Sequence, residues 1–115
     1  MFKVMLLAKR KPGLTPEQYR RRYEQGHAPL GVTTVGTPLR RYVRNYVAHP
    51  EDTPEVDFDS VTEFWYSNRE SYFAWKERYR SGPEGEILAA DELEFMDRST
   101  MRVVYVDEVE AVHGV

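Results

Sequence analysis

The sequence predicts an α+β fold: a four-stranded antiparallel sheet with its helices on one face. Three observations lead there. Strand-like and helix-like patterns alternate as β-α-β-β-α-β, with one extra helix before the last strand. The two halves echo each other, each giving a strand, a capping box, an aromatic-faced helix and another strand. Large apolar residues also fall on both parities of the strands, so both faces of the sheet need cover.

The first strand is Phe2 to Ala8, a short apolar run closed by Lys9-Arg10-Lys11-Pro12-Gly13. Thr15-Pro16-Glu17-Gln18 then starts a helix: Thr15 caps, Pro16 takes the first helical position and Gln18 completes a capping box. Tyr19, Tyr23 and His27 follow at intervals of four and share one face. Gly26 and Pro29 are expected to end this helix, and residues 30–39, with Gly31, Gly36 and Pro38, to form a loop. Arg40 to Ala48 reads as the second strand, with Tyr42, Val43, Tyr46 and Val47 as β-formers. An acidic loop with two prolines, His49 to Asp57, comes next as the segment expected to move most.

Phe58 to Tyr66 is the third strand, with Val61, Glu63 and Trp65 on one face and Thr62, Phe64 and Tyr66 on the other. Ser67-Asn68-Arg69-Glu70 is a second capping box, and its helix runs to about Arg80 with Tyr72, Trp75 and Tyr79 aligned. Ser81-Gly82-Pro83 breaks that helix, and Glu84 to about Asp97 forms the next. Thr100 to Val109 is the last strand. This is the split βαβ or ferredoxin-like pattern. Because the sheet face away from the helices is also apolar, pairing two copies sheet against sheet, as a homodimeric α/β barrel, is the economical expectation.

A chain of 115 residues is expected to form one domain, 1–115. With 41% hydrophobic residues it is a folded globule, and a net charge of −3 gives no field that points to nucleic acid or membrane. Arg20-Arg21-Arg22 and Arg40-Arg41 read as solvated faces. There is no cysteine, which excludes disulfides, thiolate metal sites and a cysteine nucleophile. Met1 to Ala8 is too short for a signal peptide and runs into Lys9-Arg10-Lys11, and no stretch reaches a membrane span, so a cytoplasmic protein is expected.

His27, His49 and His113 show no metal-ligand spacing, and no phosphate loop, nucleophile elbow or dinucleotide fingerprint is present, so no metal or cofactor is indicated. What remains is polar groups among aromatics, the composition of a small-molecule pocket. His27 is the first candidate for proton transfer, because imidazole is the common acid/base group of proteins; a helix-end histidine capping carbonyls is the other reading. Asp91 falls on a helical wheel among Ile87, Leu88 and Phe95, where it either ties helix to loop, has its pKa raised for chemistry, or orients His27. Tyr46 can donate to a developing oxyanion or be a core tyrosine. Glu63 is either a pocket acid or a cross-strand partner of Arg44 or Arg102. Asn45, Trp65 and Tyr23 complete the candidates for substrate contact, while His49 and His113 are expected in solvent.

Five segments in order carry a resemblance: residues 9–19 (Lys9 to Tyr19), His27-Ala28-Pro29-Leu30, Arg40-Arg41-Tyr42-Val43, Glu63-Phe64-Trp65-Tyr66 and residues 91–97 (Asp91 to Asp97). Together they resemble the EthD domain family of the dimeric α/β barrel superfamily, from Val4 to Val106. The resemblance implies a homodimeric barrel with an interior cavity, and places His27 at the family's histidine and Asp91 at its acidic position. Relatives of this kind include cofactor-free cyclases, dehydratases, isomerases and oxygenases on aromatic, polyketide and lactone substrates, and accessory proteins of degradative operons. Relatives often carry Pro-Gly before the second strand, where this chain has Gly36-Thr37-Pro38-Leu39, and a histidine after its asparagine, where this chain has Tyr46.

Three functions follow as expectations. One is a cofactor-independent lyase or isomerase with His27 as general base, Tyr46 or Asn45 on the oxyanion and Asp91 orienting the histidine. Another is a cofactor-free oxygenase of an electron-rich aromatic. The third is a ligand-binding or accessory protein of a degradative or biosynthetic operon, without chemistry.

Overall fold

The computed structural model describes residues 1–48 and 56–111, and the loop read over His49 to Asp57 lies mostly outside them, as does His113. Four strands, β1 (Phe2–Arg10), β2 (Leu39–Tyr46), β3 (Ser60–Tyr66) and β4 (Met96–Val106), form one antiparallel sheet in the order β2-β3-β1-β4. The helices are α1 (Pro16–Arg22), α2 (Ala28–Val35), α3 (Arg69–Ser81) and α4 (Pro83–Leu93). The expected α+β ferredoxin-like arrangement is therefore present, with its additional helix before the last strand.

Register sorts the side chains. Val4, Leu6 and Ala8 stand opposite Phe64, Thr62 and Ser60, and Tyr42, Arg44 and Tyr46 continue that row on β2. This face is covered by the helices: Val4, Leu6, Ala8, Ser60 and Thr62 are all buried. The other row holds Met5, Leu7, Val43, Asn45, Val61, Glu63, Trp65, Arg102 and Val104.

The main departure from the sequence reading is at the first helix. It does not stop at Pro29. A π-helical turn, Tyr23–His27, joins α1 to α2, and the Ala28 N–H donates to the Tyr23 carbonyl five residues back. The widened turn gives Pro29, in the first turn of α2, room for its ring and no obligatory N–H to lose. Residues 30–35 are thus helical rather than loop, and α2 ends at Gly36, whose φ of +76° suits glycine.

The capping box at Thr15 forms as expected. Thr15 Oγ1 accepts from the Gln18 N–H at 3.1 Å and Gln18 Oε1 from the Thr15 N–H at 2.9 Å. Thr15→Ala is expected to lower stability by about 1 kcal/mol in a urea melt. The second box is offset by one residue: Asn68 caps and Ser71 closes it, because Asn68 has the extended backbone that a cap needs. The last strand begins at Met96, not Thr100, since Met96 and Asp97 pair with Arg10 and Lys9 ahead of a bulge. Correspondingly, α4 stops at Leu93.

Two apolar clusters fill the helix side. One gathers Val4, Val35, Tyr66, Tyr72, Trp75 and Leu88; the other gathers Ala8, Tyr19, Tyr23, Ala28, Phe95 and Met96. Among the described residues no helix is long and apolar enough to cross a membrane.

Candidate functional site

Tyr19 and Tyr23 are only 1% exposed, and their hydroxyls need partners. They find them on β3: Tyr19 Oη lies 2.7 Å from Ser60 Oγ, and Tyr23 Oη 2.9 Å from Thr62 Oγ1. The stripe is thereby pinned to the sheet. In an α-helix, steps of four drift around the axis; the wider π turn winds back that drift, so His27 stays in line and is 7% exposed. Its ring packs between Tyr23, edge-on with centroids 5.6 Å apart, and Phe95 at 5.3 Å.

His27 Nδ1 lies 2.8 Å from Asp91 Oδ2, and Arg22 donates to Asp91 Oδ1 at 2.5 Å. Burial opposes charge on Asp91, but Arg22 and His27 outweigh it and hold the carboxyl below its usual range. An ionised Asp91 only accepts hydrogen bonds, so Nδ1 carries a proton, and in the neutral ring Nε2 is left with the lone pair. Arg22, one of three arginines read as a solvated face, instead turns in to fix this pair.

His27 lines a cavity of about 380 Å³ between the sheet and the helices. Its walls are largely aromatic and aliphatic, with polar groups from His27, Tyr42, Lys76, Tyr79, Glu92 and Arg98. Glu92 stands closest to the free nitrogen, with Oε2 3.9 Å from His27 Nε2. Its other oxygen, Oε1, accepts from Tyr79 at 3.3 Å and lies 3.6 Å from Arg98 Nε. Burial raises the Glu92 carboxyl above its usual range, against the opposing pull of His27 and Arg98. The sequence reading passed over Glu92. Its signal was the spacing Gly85, Leu88, Glu92, which marks the buried face of α4; Ile87, read as part of that face, is 53% exposed.

The other candidates fall in three places. Tyr23 lines the cavity beside His27. Tyr46 shares the helix-side face but does not line the cavity: it packs on Tyr19 and Tyr23 and donates to Glu24, which also takes a two-pronged contact from Arg44 at 2.7 and 2.8 Å. Asn45, Glu63 and Trp65 lie on the opposite face of the sheet from His27, so they share no pocket with it. There Glu63 pairs with Lys3 at 2.8 Å and accepts from Asn45 at 3.0 Å, not from Arg44 or Arg102. Arg44 stands opposite Thr62 and faces the helices, while Arg102 is separated from β3 by β1. Trp65 is stacked between Lys3 and Arg41 and donates to Glu108 at 3.4 Å. Among the described residues no three His, Cys, Asp or Glu side chains gather as a metal ion would need.

A His–Asp pair whose histidine lines an aromatic cavity under a ferredoxin-like sheet places the chain in the class of small α+β domains. Within it, this chain belongs to the EthD domain family, which matches residues 11–99. No curated protein matches the sequence. Among solved structures, an ethyl tert-butyl ether D (EthD) family protein from Bacillus halodurans superposes with a TM-score of 0.67 at 18% identity, over 95% of this chain and 100% of that one. A dimeric protein of unknown function and ferredoxin-like fold from Bacteroides fragilis gives 0.60 at 12% identity, over 93% and 95%. A dimeric ferredoxin-like protein of unknown function from Thermobifida fusca gives 0.59 at 11%, over 91% and 88%. At these identities the likeness speaks for the fold alone.

Proposed function

We propose that this protein is a cofactor-independent acid/base enzyme of the lyase or isomerase type, acting on an aromatic, polyketide-like or lactone molecule held in the cavity. One observation carries the reading: His27 lines the cavity and is held by Asp91 through Nδ1, which leaves Nε2 without a hydrogen bond among the described residues. That is the arrangement of a general base whose tautomer and direction are fixed. The base would remove a proton next to a carbonyl or phenol. Tyr46 is engaged by Glu24, so the oxyanion partner is better sought among the cavity tyrosines. Tyr42 lines the cavity, and so does Tyr66, whose hydroxyl has no hydrogen-bond partner among the described residues. Asp91 is the positioning residue.

The same reading includes a homodimer. The sheet face away from the helices carries Met5, Leu7, Val43, Val61 and Val104, and two of the similar structures are described as dimeric. Pairing these faces would bury that apolar surface and leave each cavity on the helix side.

The test uses 1,2-benzisoxazole, a carbon acid that isomerises to 2-cyanophenol once a base removes its C3 proton. Wild-type protein is expected to accelerate ring opening, and His27→Ala to lose about 10²–10⁴-fold of it while remaining folded. A His27→Ala variant as fast as wild type rules out His27 as the base.

A further inference from the structure

We propose that Glu92 is the general acid that works opposite His27, so that the cavity handles substrates which lose a proton from carbon while an oxygen gains one. The inference rests on the reading of His27 as base and extends it to the second proton. Glu92 lines the cavity, its side chain is 8% exposed, and Oε2 is aimed at His27 Nε2 across 3.9 Å. That gap is too long for a direct hydrogen bond. The two atoms stand side by side on the wall of one cavity, each able to reach a different atom of the same substrate. Tyr79 and Arg98 both engage Oε1, which leaves Oε2 to carry the transferable proton.

The surroundings work against the charged form of the carboxyl. Glu92 is faced by His27, Tyr19 and Tyr23 from the first helical arm, by Tyr79 from α3, by Arg98 from β4 and by Asp91 on its own helix. Burial dominates and raises its pKa; Arg98, and His27 whenever its ring is charged, limit the rise. The contrast with Asp91, one residue earlier and held ionised by Arg22, separates two adjacent carboxyls into two roles.

The proton count closes. His27 Nε2 takes the proton from carbon, and the electron pair moves through the substrate to break a bond to oxygen or to charge a carbonyl oxygen. Glu92 Oε2–H gives its proton to that oxygen. The enzyme is left with imidazolium and carboxylate facing each other, and one proton passing from His27 to Glu92 restores the starting state. Enolisations and the dehydration of β-hydroxy carbonyls fit this sequence. So does the opening of 1,2-benzisoxazole, in which the N–O bond breaks and the phenolic oxygen receives the proton.

Glu92→Gln keeps shape and hydrogen bonding but carries no transferable proton. On 1,2-benzisoxazole it is expected to lower kcat/KM at least about tenfold. The 5-nitro derivative leaves as a more stable phenolate and should lose distinctly less. In wild type the rate should fall at higher pH as Glu92 ionises; Glu92→Gln should lack this falling limb, and Glu92→Asp should keep it. Equal losses on both probes, or a retained falling limb, overturn the role and leave Glu92 a structural partner of Arg98. If Glu92→Gln does not fold, the comparison passes to Glu92→Asp, where loss of the falling limb overturns the proposal. A slow His27→Ala beside an unchanged Glu92→Gln sinks the acid alone; a fast His27→Ala sinks the base, and this proposal with it.

Discussion

Phe95→Ala is expected to lower stability by about 3–5 kcal/mol, read as a reduced midpoint in urea at unchanged slope. Phe95 is 0% exposed and is the hub of the second cluster. Its ring contacts Tyr19, Tyr23 and His27 with centroids 5.3 to 5.5 Å apart, and the Arg22 guanidinium lies 5.4 Å above it. Truncation leaves a cavity bordered by tyrosines whose hydroxyls are tied to Ser60 and Thr62, so they cannot swing in to fill it. Against a total of about 5–15 kcal/mol this is a large fraction. The same ring is one wall of the His27 site. Even where the variant is folded, ring opening of 1,2-benzisoxazole should slow, because His27 loses the packing that holds it on Asp91. Phe95→Leu refills most of the space and should retain more of both properties. A Phe95→Ala melt within 1 kcal/mol of wild type would show that the cluster collapses freely, contrary to this account.

Gly85→Ala is expected to be equally severe for a different reason. Gly85 sits in the first turn of α4, where the chain doubles back against the end of α3. A Cβ at this position would lie 1.5 Å from the Tyr79 carbonyl oxygen and 2.5 Å from its carbon. The obstacle is main chain, so no side-chain rotation relieves it. Overpacking costs about 1–3 kcal/mol where side chains can give way, and here the helices must part instead, so the upper end or beyond is expected in the same urea melt. Separation of α3 from α4 would also move Tyr79 away from Glu92. Near-native stability of Gly85→Ala would mean that the two helices are free to slide apart.

Much of the architecture is legible in the chain because it is written in local signals. Thr15-Pro16-Glu17-Gln18 starts a helix through groups within four residues of one another, and the apolar runs of β1 and β3 are bounded by their own turns. The alignment of Tyr19, Tyr23 and His27 likewise follows from spacing alone. The continuation through Pro29 was not legible, since proline ordinarily ends a helix and the π turn that admits it depends on a single main-chain bond from Ala28 to Tyr23.

The sequence by itself determined the ferredoxin-like order of elements, the aromatic stripe and the choice of His27 and Asp91 as a pair. Only the tertiary structure decided which residues share their cavity. Strand register placed Asn45, Glu63 and Trp65 behind the sheet, since a side chain's face is set by its partner strand as well as by its own pattern. The rotation of α4 about its axis put Glu92, rather than Asp91, against the free nitrogen of His27. Adjacent helical residues point about 100° apart, and the packing of that helix selects which one faces the cavity.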